Sequence, residues 1–181
     1  MPNWVNNYLK ITGSEAELTR FIAKCFSEVE SGPQLDFDRL IPMPAPIKES
    51  VFRDGGVVMI GSEASFPDWY VWSVENWGTK WNACYTEFTH SSNVISLSFR
   101  TAWSIAWPIY EAIAERFPLL MIEGEILQEM SEFGGHVCCH ARKIDFEDKT
   151  EQIRADWLEV CAKPDHERNE TVSVSDEEIP F

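Results

Sequence analysis

Asn3-Trp-Val-Asn-Asn-Tyr-Leu-Lys-Ile-Thr-Gly-Ser-Glu-Ala-Glu17 holds a strand, a break and a helix start in one short run. Val5, Leu9 and Ile11 fall on one side and Trp4, Asn6, Tyr8 and Lys10 on the other, the period of a half-buried strand. Gly13 interrupts it. Ser14 with Glu17 reads as a capping box, in which each side chain covers a free backbone N–H at a helix start. Behind it Leu18, Phe21, Ile22, Cys25, Phe26 and Val29 recur at helical spacing, with Gly32 and Pro33 as the expected stop.

The same grammar returns later in the chain. Cys84 to Phe88 reads as a short strand, His90-Ser-Ser-Asn93 as a turn, and Val94 to Arg100 as an alternating strand. Thr101 to Trp107 is a connector. Pro108 suits the first position of a helix carrying Ile109, Ala112, Ile113 and Phe117 that ends against Pro118. Leu120, Ile122 and Ile126 then mark a strand between Leu119 and Leu127. The order β, α, insertion, β, β, α, β predicts an α+β fold of the ferredoxin-like, split βαβ (βαββαβ) kind. That is a four-stranded antiparallel sheet with two helices on one face.

This domain is assigned to residues 1–144, with Gly134 to Ile144 adding a further strand. A C-terminal helix follows over 145–163, capped by Asp148 and Glu151 and striped by Ile153, Trp157 and Val160 or Cys161. Residues 164–181 are acidic and aperiodic, which predicts a disordered tail.

Residues 33–82 form the long, irregular insertion. Ile41-Pro-Met-Pro-Ala-Pro46 is expected to run extended, because alternating prolines fix φ and remove hydrogen-bond donors. A hairpin around Gly55-Gly56 is expected between Val51 and Ser65, with Val57 to Ile60 as its better strand. Trp69 to Asn76 predicts two turns of helix, with Trp69, Trp72 and Asn76 on one face and Gly78 as the stop. Trp69, Trp72, Trp77 and Trp81 place half of the chain's eight tryptophans in this segment. It is either a packed plug or a binding wall, since each indole is costly to leave in water and needs a partner for its N–H when buried.

Composition narrows the function classes. Over 181 residues, 44% hydrophobic and 13% aromatic content supplies an ample core. The net charge is −15, and residues 145–181 hold 12 acids against 4 bases. That field repels phosphate, so no direct nucleic-acid binding is expected. No basic segment followed by an apolar run opens the chain, and no apolar stretch has the length to cross a bilayer. Five cysteines, an odd number, read as reduced thiols and a cytoplasmic setting.

With Met1-Pro-Asn-Trp4, Ile41-Pro-Met-Pro44, Asn76-Trp-Gly-Thr-Lys-Trp81 and Thr101-Ala-Trp-Ser104 in view, the chain resembles the YubB-like family over roughly residues 1 to 140. These are small proteins of bacterial plasmids, prophages and phages with a ferredoxin-like domain. The resemblance implies that fold and a mobile-element origin, and no settled activity. Val5 stands where the family pattern often has cysteine, and Ile105-Ala-Trp-Pro108 where it often has two prolines. The acidic tail lies beyond the resemblance.

Four constellations could carry function. In the first, Trp77, Trp81 and Trp103 form flat walls, Lys80 and Arg100 supply charge, and Asn76, Asn82 and Thr101 supply directed hydrogen bonds. The competing structural reading has the indoles pin the insertion over the open face of the sheet. In the second, His136, Cys138 and His140 share one side of a strand, as zinc ligands would with Cys161 or Asp145 as a fourth. Buried cysteines and a hydrogen-bonded histidine explain the same pattern.

The third is a carboxylate pair, Glu123 and Glu125, with Glu129 and Glu132 following; solvent-face carboxylates of a sheet look the same. In the fourth, the acidic run Asp176-Glu-Glu178 serves solubility or imitates nucleic-acid phosphates to occupy a host restriction or defence protein. The sequence reading is a binding or interaction protein rather than an enzyme, with no cofactor and no membrane partner. Its expected surface is Asn76, Trp77, Lys80, Trp81, Arg100, Thr101 and Trp103. A nucleic-acid mimic, a small-nucleotide pocket and an enzyme of unknown class are the rivals.

Overall fold

A computed structural model of the chain describes residues 3–30, 32–49, 57–60, 64–130 and 132–155. In chain order the elements are β1 Trp4–Thr12, α1 Glu15–Cys25, β2 Phe26–Val29, β3 Gly32–Leu35, α2 Phe37–Leu40, α3 Ala45–Lys48, β4 Val57–Ile60 and β5 Ala64–Pro67. They continue with α4 Trp69–Trp77, β6 Cys84–His90, β7 Val94–Ala102, α5 Trp107–Arg116, β8 Met121–Gln128, β9 Gly134–His140 and β10 Lys143–Asp148. Helical backbone resumes at 150 and reaches 155, so residues 145–148 close a strand where the sequence suggested helix. The protein is a mixed α/β molecule around one six-stranded antiparallel sheet, ordered β10-β9-β8-β1-β7-β6.

Alternation decides which face is covered. Leu9 lies opposite Leu97 and Ile11 opposite Ile95 and Ile122, and all five are buried under α1 and α5. Those helices contribute Leu18, Phe21 and Cys25 from α1, and Ile109, Tyr110 and Ile113 from α5. The other face carries Trp4, Asn6, Tyr8 and Lys10 from β1, none of them buried. Asn7 is a polar residue on the apolar side. Its amide donates to the Val5 and Phe99 carbonyls (3.0 and 3.3 Å), and its Oδ1 accepts from the Tyr110 hydroxyl at 2.9 Å, so its polar atoms are satisfied in the core. Gly124 lets β8 close on β1, because a Cβ there would lie 1.9 Å from the Tyr8 carbonyl oxygen.

Several expectations are corrected. The sheet has six strands, not four, because Gly134–His140 and Lys143–Asp148 pair as a hairpin through Ala141 and Arg142, both at positive φ (49° and 66°). α1 ends at Cys25, and Phe26, which continues the helical spacing, turns instead into a strand opposite Leu35. Only half of the capping box forms. Ser14 Oγ accepts from the Glu17 N–H, while the Glu17 carboxylate pairs with Arg20 at 2.8 Å.

The proline run is extended only as far as Pro44, since Ala45–Lys48 makes a helical turn. Val57–Ile60 pairs with Ala64–Pro67, on its C-terminal side, and Gly55-Gly56 lies outside the described residues. Trp157, Val160, Cys161 and residues 164–181 are outside them too. The described part of the insertion packs mainly on the helix side, with Trp81 reaching Trp4 at the edge of the open face. α2 packs against α1 and α5, α4 packs against α5, and Phe37 sets its ring against Phe99 and Trp77 on the helix side.

Tyr110→Phe would strand the Asn7 Oδ1 in an apolar layer. The expected loss is about 1–3 kcal/mol in urea unfolding. Adding Asn7→Leu should restore part of it, whereas an additive or larger loss in the double variant would show that the bond is not what Asn7 contributes.

Candidate functional site

The surface is built at the end of the sheet where β1 begins and β7 ends. Asp68 caps α4 by accepting the Val71 N–H at 3.0 Å, and Gly78, at φ 76°, ends it in the left-handed region that favours glycine. The chain that follows is stitched to the connector after β7. The buried Thr79 hydroxyl donates to the Ala102 carbonyl at 2.9 Å and accepts from the Ala102 N–H at 3.1 Å. Ser104 Oγ donates to the Gly78 carbonyl, Thr101 Oγ1 to the Ser104 carbonyl, and the Trp103 N–H to the Asn3 carbonyl. The Trp77 indole N–H donates to the Ile41 carbonyl at 2.9 Å. Asn3 and Trp4, Ile41, residues 76–81 and residues 101–104 thus meet in space, although they lie far apart in the chain.

On this frame the rings form an arc. Tyr85 stands edge-on to Trp4 (5.5 Å between centroids), Trp4 leans on Trp81 (6.0 Å), and Trp81 stacks on Trp103 (6.2 Å, 29° between planes). The Lys80 ammonium sits among four rings, 4.8 Å from Trp81, 5.0 Å from Trp103, 5.3 Å from Tyr70 and 6.0 Å from Trp69, an arrangement of cation–π contacts. The Arg100 guanidinium lies 5.2 Å over Tyr85. Neither cation has an ion pair among the described residues.

Tyr85 is 67% exposed, Tyr8 49% and Trp103 44%, large amounts of ring to leave in water. Tyr85 (φ 52°) and Trp103 (φ 67°) both sit in the left-handed region, strained for bulky residues, and a register shift between Cys84 and Glu87 turns Tyr85 outward.

Two hollows adjoin the arc. One, about 410 Å³, opens between Trp69, Lys80, Trp81 and Asn82, with the Asp36 and Asp38 carboxylates also lining it. The other, about 130 Å³, lies between the Tyr8 and Tyr85 rings over Asn6, Ser98 and Arg100, with the Glu87 carboxylate also in its wall. A larger hollow of about 880 Å³ lies elsewhere, beside Glu132, Glu147, Asp148 and Glu151. Phe133 is its one aromatic wall among the described residues.

The expected residues divide. Lys80, Trp81, Arg100 and Trp103 are brought together at the surface. Trp77 and Thr101 are buried and serve the frame, and Asn76 donates to the Trp72 carbonyl of its own helix. Asn82 is also structural, accepting the Phe37 and Ala83 N–H groups and donating to Asp36. Trp4, Tyr8 and Tyr85 were missed. The outward side of the β1 alternation was the available sign for the first two. His136, Cys138 and His140 do share the open face, but no three His, Cys, Asp or Glu side chains among the described residues come together as a metal site.

The four described cysteines are free thiols. Glu123 and Glu125 lie on the open face, opposite Lys10 and Tyr8. No helix among the described residues is long and apolar enough to cross a membrane. No protein-family model, curated protein or solved structure matches the chain.

Burial pushes the thiols of Cys25 and Cys139 up to about 12 from an ordinary 9.0. Their folded values exceed the unfolded one, so the stability they contribute is whole below pH 9 and is lost as pH rises toward 12. The urea midpoint should fall over that window, and Cys25→Ala should flatten part of the decline; an unchanged slope would show that the Cys25 thiol is not protected.

Proposed function

We propose that the chain is a non-enzymatic binding protein on a ferredoxin-like core, akin to the YubB-like proteins of bacterial mobile elements, and that the ring arc is its working surface. The strand order β8-β1-β7-β6 supports the fold reading. So do α1 between β1 and β6 in the chain and α5 between β7 and β8. The meeting of described residues from the four sequence motifs supports the kinship: Trp103 bonds Asn3, Trp77 bonds Ile41 and Ser104 bonds Gly78.

One observation carries the function: rings held partly in solvent on strained backbone, beside two cations that have no ion pair among the described residues. Strain kept in the folded state and apolar area left uncovered are both unfavourable to folding, and binding is what they serve. The thiol nearest the arc is not a ready nucleophile. Cys84, next to Tyr85, is pushed up by burial, away from the thiolate a nucleophile needs.

The acidic-mimic reading has an observation of its own. Glu147, Glu125 and Glu87 lie in one row across the open face, and Asp145 and Glu123 in the next. His136 and Lys10 interrupt these rows, so this reading ranks second.

The test is a panel of nucleoside monophosphates, monosaccharides and short peptides, followed by tryptophan fluorescence. At least one class should change the emission of the wild type, and Trp103→Ala with Tyr85→Ala should weaken that response about tenfold. A panel that leaves the emission unchanged at millimolar concentration would remove the ring arc as a binding surface.

A further inference from the structure

We infer that the hollow of about 130 Å³ between Tyr8 and Tyr85 takes an uncharged purine base with an amino-lactam edge, guanine or its nucleoside, gripped by Glu87 and Arg100. This rests on the preceding reading of the arc as a binding surface and names the ligand of one part of it.

The deciding feature is a pair of opposite charges that face one small space without meeting. Ser98 lies opposite Glu87 on β6 and opposite Tyr8 on β1, and Arg100 lies opposite Cys84 and Asn6. Glu87 and Arg100 are therefore diagonal neighbours on the open face, a spacing at which long side chains of opposite charge can pair. Yet no ion pair joins them, and Glu87 has neither an ion pair nor a side-chain hydrogen bond among the described residues. The bulge between Cys84 and Glu87 keeps them apart. It brings Tyr85 out at φ 52°, and the guanidinium lies over that ring at 5.2 Å.

Between the rings are thus an acceptor, a donor and the polar side chains of Asn6 and Ser98. A carboxylate accepts through two oxygens, and a guanidinium donates through parallel N–H groups. Guanine offers the counterpart along one side of a flat ring system: N1–H and the 2-amino group donate side by side, and O6 and N7 accept from an arginine fork. Its faces would lie against the phenol rings, of which Tyr85 is 67% and Tyr8 49% exposed. The hollow has the volume of about four liquid waters, which suits one ring system and excludes a chain of several.

The surrounding charge decides against a phosphate. Besides Glu87 itself, Glu125 lies opposite Tyr8, and the Glu129 carboxylate accepts the Trp4 N–H at 3.1 Å where Trp4 stands edge-on to Tyr85. On a chain of net charge −15 these carboxylates repel an anion and leave a neutral base unaffected. An amino-acid zwitterion would bridge Glu87 and Arg100 but leave the rings bare. A hexose would bond both charges without a planar face to offer the rings.

The experiment is equilibrium dialysis of labelled guanosine against the full chain, up to millimolar concentration, with adenosine and guanosine monophosphate alongside. Adenosine turns a bare ring nitrogen toward the carboxylate and should bind about tenfold more weakly than guanosine, the size of one charged hydrogen bond lost. The monophosphate should bind no more tightly than the nucleoside. Glu87→Gln should cost guanosine about tenfold and narrow its lead over adenosine. Tyr85→Ala should cost both nucleosides about tenfold, and Tyr85→Phe should keep the affinity, since only the ring face is used.

Failure of the wild type to hold guanosine, equal affinity for the two nucleosides, or tighter binding of free alanine or methyl glucoside would overturn the assignment, and none of these depends on a variant that folds. Guanosine binding indifferent to Glu87→Gln would overturn it as well. If guanosine is not held but the small-ligand panel changes the emission, the arc survives as a surface for another ligand; if the panel is silent too, both readings fall.

Discussion

The hydrogen bond between the Tyr110 hydroxyl and the Asn7 side chain is the constraint on which the remaining architecture depends. Both groups are buried, so neither can turn to water, and Asn7 also binds the backbone of its own strand and of β7. A single amide therefore ties α5, β1 and β7 together in one relation. Sliding β1 by one residue would take Asn7 out of the layer and drive Tyr8 or Asn6 into it. The register held in the core is thus also what keeps Trp4 and Tyr8 on the open side.

From that register the surface follows by short steps. Trp4 stands beside the end of β7, Thr79 and Ser104 fasten the loop after α4 to that end, and the fastening presents Trp81 and Lys80 to Trp4 and Trp103. The buried indoles of Trp72 and Trp77 belong to the same segment but do a different task, holding the insertion against Phe37 and the helices. One tryptophan-rich stretch divides between core and surface.

What was legible in the sequence was local. β1 and α5 were readable because alternation, Pro108 and Pro118 act within a few residues, and α4 because Gly78 must end it. The end of α1 was not, since Phe26 satisfies helical spacing and is claimed by a distant strand residue, Leu35. The β9–β10 turn was hidden because Ala141 and Arg142 take up positive φ without the Asn-Gly pair that usually announces it.

At the surface, Lys80, Trp81 and Trp103 could be named from their motifs, and Arg100 from its place just before one of them. Tyr85 could not, because it faces outward through a register shift invisible to periodicity.

The arc is assembled from the start of β1, the loop after α4, the start of β6 and the connector after β7. No one of these can present a ring surface alone, so the arc appears only when β1 has taken its place between β7 and β8. It is also the most exposed to fraying, since Trp4 opens its strand and the Trp103 N–H hangs on the carbonyl of Asn3. Melting of those few N-terminal residues would dissolve the surface while the buried layer stayed intact, so its persistence is a local equilibrium separate from the stability of the whole.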